Sequence, residues 1–216
     1  MLSPARSRGA KMAIKHYRRK LWWKRRAFNH DFTLPEYFRD MIGDKKVIRV
    51  ADIGAGSICT VGNKWDGVEV QMYPSDLLAD EYNQLWVDAK KKLLIPIEKQ
   101  DMEALTYPAG SFDIVHCVNA LDHCEHPDQA IKEMIRVCNP GGWVYLRHRQ
   151  NEGEHQKYAG FHQWNIDLID GECVFWNAES RFLLSDLGNF VTEIKTEIPN
   201  TRYECEESVV SRLKKA

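Results

Sequence analysis

The sequence predicts an α/β fold in which a doubly wound, mostly parallel sheet of seven strands carries helices on both faces. The strongest observation is at residues 47–56, where a near-continuous apolar run ends in the Gly-x-Gly turn of Gly54 and Gly56. Such a run is typical of a strand that is covered on both faces. A second observation is that strand-like and helix-like segments alternate along the chain, which favours parallel strand-helix-strand units.

Four segments are predicted to be helical from their ends and from an apolar stripe on one face. Pro35 suits a first helical turn, and Gly43 suits a helix end. Pro127 opens the last helix, and the Asn-Pro-Gly-Gly run from Asn139 ends it. The predicted helices are 12–26, 32–42, 80–91 and 127–138.

Strands are predicted where short apolar or alternating runs lie between turn residues. The segments 190–198 and 203–210 suit a hairpin that closes the sheet. The predicted strands are 47–53, 68–73, 93–98, 112–118, 143–148, 172–177, 190–198 and 203–210.

Composition favours one domain. The chain has 216 residues, of which 44% are hydrophobic and 28% charged, so it can bury a sizeable core without disulfides or metal. We expect a basic arm at residues 1–30 and a single domain at 31–216.

No apolar run approaches the ~20 residues of a membrane span. The six cysteines form no C-x-x-C pair, which favours reduced thiols, no cysteine zinc site and a cytoplasmic location.

The glycine turn predicts a ligand above the carboxyl end of the first strand. Cys59 occupies the position where a dinucleotide fingerprint has its last glycine, and no Gly-Lys-Ser or Gly-Lys-Thr triplet indicates a P-loop. Asp76 follows the second predicted strand, where an acid can bind ribose hydroxyls. Its alternative role is a helix N-cap.

Further segments along the chain carry a family resemblance. They are 100–105, 110–115, 119–123 and 139–146. With the glycine turn and Asp76, they resemble the class I S-adenosylmethionine-dependent methyltransferases over residues 47–148. The resemblance is to the small-molecule, type 11-like branch, which includes quinone-biosynthesis and related C-, N- and O-methyltransferases. It implies a Rossmann-like fold, S-adenosylmethionine as cofactor, and methyl transfer.

The resemblance also implies which residues bind the cofactor. In this family the loop after the first strand holds the methionine part, and an acid after the second strand binds the ribose. An acid and an apolar residue after the third strand bracket the adenine, and the end of the fourth borders the sulfonium. Ile58 stands where the family usually has a third glycine. The corresponding residues are Gly54, Ala55 and Gly56 supported by Asp52, then Asp76, then Asp101 with Met102, and then Asn119 with Leu121.

A methyl acceptor must approach from the same sheet edge, and the segment 148–165 is rich in hydrogen-bonding and titratable groups around aromatic rings. His148, Glu152, His155 and His162 are the candidates for binding or deprotonating the acceptor. The alternative is a solvated surface loop. Their spacing matches no known zinc signature, so we expect no metal site from them. His123 could also face the acceptor.

Two functions remain open from the sequence. Residues 119–122 lack the Asn- or Asp-Pro-Pro-aromatic tetrapeptide of enzymes that methylate exocyclic base amines, so nucleic-acid methylation is disfavoured. A polar small-molecule or glycan-like acceptor is favoured instead. The second function is a binding or regulatory module without catalysis.

The basic arm motivates that second function. Residues 1–26 hold ten Lys or Arg and no acid, leaving 20 basic against 31 acidic side chains elsewhere. The arm could contact nucleic acid or another anionic partner. Alternatively it is a helix that packs over the domain and helps to cover the cofactor, or a transit peptide. The oligomeric state is not predicted.

Overall fold

A computed structural model of the chain describes residues 4–20, 32–197 and 208–216. Its main element is a seven-stranded sheet with the strand order β3-β2-β1-β4-β5-β10-β9. The strands in chain order are β1 (Val47–Ile53), β2 (Glu69–Asp76), β3 (Glu98–Lys99), β4 (Phe112–Val118), β5 (Cys138–Arg149), β6 (Asn165–Ile169), β7 (Glu172–Trp176), β8 (Arg181–Leu183), β9 (Val191–Glu197) and β10 (Ser208–Lys215).

Strands β1 to β5 are mutually parallel, and β10 runs antiparallel to both β5 and β9. The predicted doubly wound, mostly parallel α/β fold is therefore confirmed. Strands β6, β7 and β8 form a separate antiparallel sheet. The predicted strand at 172–177 exists as β7 but belongs to this second sheet.

Helices lie on both faces of the main sheet. They are α1 (Pro4–Lys20), α2 (Arg39–Ile42), α3 (Ala79–Asp88), α4 (Pro127–Val137) and α5 (Glu152–His155). In β1, Ile48 and Val50 pack in one buried cluster with Phe38, whereas Ala51 and Ile53 pack in another with residues of α4. Both faces of β1 are thus covered, which explains its near-continuous apolar sequence.

The helix from Pro127 is confirmed, and its apolar stripe is buried against the sheet. The predicted strand at 93–98 is wrong in position, because β3 only begins at Glu98. Pro96 explains the shift, since proline cannot donate to a strand ladder. Helix α1 begins earlier than predicted, and positions 21–26 lie outside the described residues.

Strands β9 and β10 pair antiparallel, as predicted for the end of the chain. Strand β10 runs to Lys215, five residues beyond the predicted end, because its residues pair with β5 as far as Trp143. Among the described residues, no helix combines the length and apolar character needed to cross a membrane.

Candidate functional site

The site lies where the strand order reverses. From β1, strands β2 and β3 extend to one side of the sheet, and β4 and β5 extend to the other. In open α/β sheets, ligands bind at the carboxyl ends of the two strands where the order reverses in this way, here β1 and β4. Gly54 follows β1, and Asn119 follows β4. The two tips therefore form the floor of a crevice at this edge.

The glycine turn brings the backbone close to its surroundings. Gly54 and Gly56 have φ values of 75° and 69°, in the left-handed region that favours glycine. A Cβ atom at Gly54 would collide with the Ala120 side chain, and one at Gly56 would collide with the Tyr17 hydroxyl. The N–H of Gly54 donates to the Ser75 carbonyl over 2.8 Å, which ties the turn to β2.

Asp76 closes the other side of the turn. One of its carboxylate oxygens accepts the Gly56 N–H and the other accepts the Leu78 N–H, each over 2.9 Å. Burial raises the pKa of Asp76 despite these two hydrogen bonds. A carboxylate has about four lone-pair directions, so each oxygen can accept a second donor from a ligand.

These groups line one cavity of about 120 Å³. Six of the nine predicted cofactor residues lie along its wall: Gly54, Gly56, Asp76, Asp101, Met102 and Asn119. The carboxylates suit hydroxyl groups, Met102 suits an aromatic face, and the glycines leave room for backbone contact. The residue types therefore fit a nucleoside cofactor with an amino-acid tail.

The volume is small for such a ligand, because drug-sized ligands occupy about 300–1,000 Å³. Tyr17 of α1 lies over Gly56, and its ring packs edge-on against Tyr82 at 5.0 Å. Burial raises the pKa of the Tyr17 phenol, so it stays neutral. Phe161 lines the same cavity, so side chains from both α1 and the 148–165 segment narrow it.

The other three predicted cofactor residues do not line the cavity. Asp52 is 4% exposed, and its carboxylate lies 2.8 Å from Nδ1 of His116. The opposite ring nitrogen of His116 lies 3.1 Å from the Tyr37 hydroxyl. Ala55 packs against a neighbouring apolar cluster, and Leu121 is fully buried in the core. None of these three residues lines the cavity, so cofactor contact by Ala55 and Leu121 stays a prediction.

A second, polar cavity of about 260 Å³ adjoins the same sheet edge. Asn119 lines both cavities. Its side-chain oxygen accepts the Arg149 N–H over 2.9 Å, which fixes this residue between the tips of β4 and β5. The residues lining the polar cavity are Asn119, Asp122, Arg149, Glu152 and His162.

We call this polar cavity the acceptor cleft. Asp122 and His162 form a close pair in its wall. Nδ1 of His162 lies 2.6 Å from Oδ2 of Asp122. Burial opposes ionisation of Asp122, but His123 and His162 together hold its pKa below the ordinary value. Burial also opposes protonation of His162, yet the Asp122 carboxylate raises the pKa of His162 overall.

Comparison with known proteins decides the family. A sequence model of the family described as "Methyltransferase domain" matches residues 51–146, the span that holds the glycine turn, Asp76, Asp101 and Asn119. The segment 51–146 is therefore a methyltransferase domain of the class I S-adenosylmethionine-dependent kind. S-adenosylmethionine is the cofactor of this family.

Curated relatives agree with this assignment. The chain is 32% identical over 153 residues to the ubiquinone/menaquinone biosynthesis C-methyltransferase UbiE of Neisseria meningitidis serogroup B, covering 66% of this chain and 60% of that protein. It is 24% identical over 117 residues to the ubiquinone biosynthesis O-methyltransferase of Bordetella avium, covering 51% and 46%. Across the first relatives the match spans 20% to 60% of their length.

Solved structures support the fold alone. A SAM-dependent methyltransferase from Thermotoga maritima matches with a TM-score of 0.53 at 18% identity, covering 96% of this chain and 99% of that one. A chain from the complex of the Haloferax volcanii Trm112 methyltransferase activator with a methyltransferase matches with a TM-score of 0.54 at 12% identity, covering 95% and 97%.

The structure separates the four candidate catalytic residues. Glu152 and His162 line the acceptor cleft. His148 is 2% exposed in β5, and burial lowers its pKa to about 3. His155 is exposed on α5. His148 is enclosed in the core and His155 is exposed on α5, so neither lines the acceptor cleft.

Several residues of the site escaped the sequence reasoning. Asp122 carried a usable signal, because an acid just beyond a buried strand lies at the ligand edge of the sheet. Tyr17 and Phe161 carried none, since aromatic residues at helical or loop positions are usually core residues. His123, a candidate for facing the acceptor, lines the cofactor cavity and does not line the acceptor cleft.

Burial of His148 predicts an acid-sensitive fold. Its pKa of about 3 in the folded state lies below the 6.5 of an exposed histidine, so the unfolded chain binds more protons between these values. Stability should fall as pH drops through this window, by about 2.5 kcal/mol between pH 6 and pH 4 from this residue. Urea unfolding of the wild type and of His148→Leu at both pH values measures the difference. A pH dependence unchanged by His148→Leu would assign the acid sensitivity to other groups.

Proposed function

We propose that this methyltransferase transfers a methyl group from S-adenosylmethionine to a polar small-molecule acceptor that binds in the acceptor cleft. The observation that carries the proposal is the position of Asn119, which lines both the cofactor cavity and the acceptor cleft. A cofactor in one cavity and an acceptor in the other would meet beside this residue. Methyl transfer needs such proximity, because reacting atoms must approach within about 3–3.5 Å.

The cofactor residues have distinct roles in this proposal. Asp76 accepts the ribose hydroxyls, and Asp101 with Met102 brackets the adenine. The backbone at Gly54 and Gly56 contacts the methionine part, and Asp52 supports the turn from below through its contact with His116. S-adenosylmethionine, when bound, supplies a methyl group on a positively charged sulfur that a nucleophile can displace.

His162 is the group placed to take the proton that the acceptor loses. Its Nδ1 faces Asp122 at 2.6 Å, so a hydrogen on Nδ1 donates to the carboxylate and leaves the lone pair of Nε2 for the acceptor. Asp122 acts through His162 and is therefore a positioning residue. Glu152 completes the wall, where its carboxylate lies 3.3 Å from Arg149 and can accept a hydrogen bond from a second acceptor hydroxyl.

The polar lining favours an acceptor that carries hydroxyl or amino groups, as sugars do. A second candidate acceptor is a quinone-type ring, which the names of the UbiE relatives favour. Against it, every residue that lines the acceptor cleft has a polar side chain. Apolar ligand rings are usually held by hydrophobic and aromatic side chains.

Helix α1 is proposed to cover the cofactor. Ala13 and Tyr17 of this helix line the cavity, and Ala10 packs in an apolar cluster with Leu78 and Tyr82. Since the cavity is smaller than the pockets that hold drug-sized ligands, we expect the side chains that narrow it, Tyr17 and Phe161, to move when the cofactor binds. Its basic residues need no nucleic-acid partner in this arrangement.

A methyl-transfer assay tests the function. Purified protein is incubated with S-adenosylmethionine labelled in its methyl group and with panels of hydroxylated sugars, small amines and reduced quinones. We expect label to enter members of the sugar or amine panels, with formation of S-adenosylhomocysteine. Label entering only the quinones would reassign the acceptor. Tight cofactor binding with no transfer to any panel would favour the non-catalytic binding module.

A further inference from the structure

Asp122 also belongs to a cluster of three possible metal ligands. The proposed methyl transfer does not require the three residues to lie together. Asp122, His123 and His162 each offer one ligand atom, and these atoms lie within 4.8 Å of one another. We propose that these three residues bind one divalent transition-metal cation of the Zn²⁺ and Co²⁺ class. Among the residues that the structure describes, this is the one group of three or more histidine, cysteine and acidic side chains with such spacing.

The donor set selects the class of cation. Two imidazoles and one carboxylate are typical ligands of Zn²⁺ and of the neighbouring transition metals. Mg²⁺ and Ca²⁺ prefer oxygen ligands, so two histidines disfavour them. Three protein ligands also leave a coordination position open, and the acceptor cleft lies beside Asp122 and His162.

The ligand atoms are already held near their binding positions. Oδ2 of Asp122 lies 2.6 Å from Nδ1 of His162 and 3.5 Å from Nε2 of His123. Asp122 and His123 lie in a short 3-10 turn, Leu121–His123. The Gln163 N–H donates to the Asp122 carbonyl over 2.8 Å, which ties the segment carrying His162 to this turn. A cation would therefore need only small side-chain rotations.

Two buried polar atoms near the cluster support a ligand there. Nε2 of His123 and one carboxylate oxygen of Glu152 are enclosed and make no hydrogen bond to the described residues, although each has a charged neighbour, Asp122 at 3.5 Å and Arg149 at 3.3 Å. Buried polar atoms without a hydrogen bond call for an explanation, and a bound ion is one of the common ones.

His162 cannot bind a metal ion and act as the general base at the same time. This consequence rests on the proposed function, in which His162 is the base. A neutral imidazole has one nitrogen with a free lone pair. When a cation takes Nδ1, the hydrogen must move to Nε2, which can then no longer accept a proton from the acceptor. Bound cation would also cancel the negative charge of Asp122. The metal-loaded protein should therefore be the inactive form.

Cobalt titration of the full chain tests the site without any need for methyl transfer. We expect one Co²⁺ per chain with visible absorption bands of low coordination number. His123→Ala and His162→Ala should each weaken binding by more than about tenfold. His126→Ala and His155→Ala are matched controls outside the cluster and should bind as the wild type does. Circular dichroism of every variant checks that the fold is intact.

Two results would overturn the site. One is no stoichiometric Co²⁺ binding by the folded wild-type chain, and the other is equal affinity in the folded His123→Ala and His162→Ala variants. The inhibitory role is tested separately with Zn²⁺ in the transfer assay. Loss of activity that a chelator reverses supports it, and stimulation by Zn²⁺ contradicts it. If transfer fails altogether but Co²⁺ binding follows the expected pattern, the metal site stands and the proposed function does not.

Discussion

Replacing His162 with alanine is expected to lower kcat for methyl transfer by about 10²- to 10⁴-fold, the usual contribution of a general base. The reason is that His162 is the one imidazole that both lines the acceptor cleft and is hydrogen-bonded to a buried carboxylate. Affinity for S-adenosylmethionine should be unchanged, because His162 does not line the cofactor cavity. Steady-state kinetics with the accepted substrate and calorimetric titration of the cofactor measure the two effects.

Two further variants make this result specific. His155→Ala removes an exposed histidine seven residues earlier in the same segment and should leave kcat as it is. Asp122→Asn keeps the shape of the positioning residue but removes its charge, so it should lower kcat and spare cofactor binding. Equal activity of His162→Ala and His155→Ala would remove His162 from the reaction and leave Glu152 as the acceptor-facing base to test.

The cofactor side of the site could be predicted because its signals are local in the sequence. A buried strand that runs into Gly54 and Gly56 encodes both the sheet edge and the close backbone approach. Asp76 ends β2 and Asp101 lies two residues after β3, so parallel pairing brings them to the same edge as the glycine turn. The rule that these strands are parallel is enough to place Asp76, whereas the role of Asp101 came from the family resemblance.

The acceptor side could not be predicted in the same way. Asp122 and His162 are 40 positions apart and lie on different loops, so their pairing depends on how the 148–165 segment folds back over β4. His148 shows the opposite problem. His148 ends the predicted strand 143–148 and was expected to face the acceptor, but β5 continues to Arg149, and side-chain alternation places His148 on the same buried face as Leu146.

The role of the N-terminal arm could not be predicted from the sequence either. Its ten basic residues suggested either an anionic partner or a covering helix, and charge alone could not choose between them. The structure shows which side chains of α1 meet the cavity, Ala13 and Tyr17, and neither is charged. Ala13 and Tyr17 meet the cavity through the fit of their shapes against the glycine turn. Composition does not reveal such a fit.

Replacing Asp76 with alanine is expected to weaken binding of S-adenosylmethionine and S-adenosylhomocysteine by about 100-fold. Hydrogen bonds to a charged group contribute about 1.5–3 kcal/mol, and two ribose hydroxyls compete with water for the same carboxylate, so a net loss near 2.7 kcal/mol is reasonable. Part of the loss has a second origin, because Asp76 also accepts the Gly56 N–H and holds the glycine turn. Calorimetric titration of either ligand measures the sum.

Asp76→Asn separates these two origins. The amide keeps an oxygen that can still accept one backbone N–H, but it loses the negative charge and one acceptor, so affinity should lie between that of the wild type and that of Asp76→Ala. Asp80→Ala is the matched control, since this neighbouring carboxylate is exposed at the start of α3 and its ion pair with Lys99 is a surface contact. If Asp76→Ala and Asp80→Ala both bind the cofactor like the wild type, Asp76 is not the acid that recognises the ribose. That result would not contradict the fold or the geometry of the glycine turn.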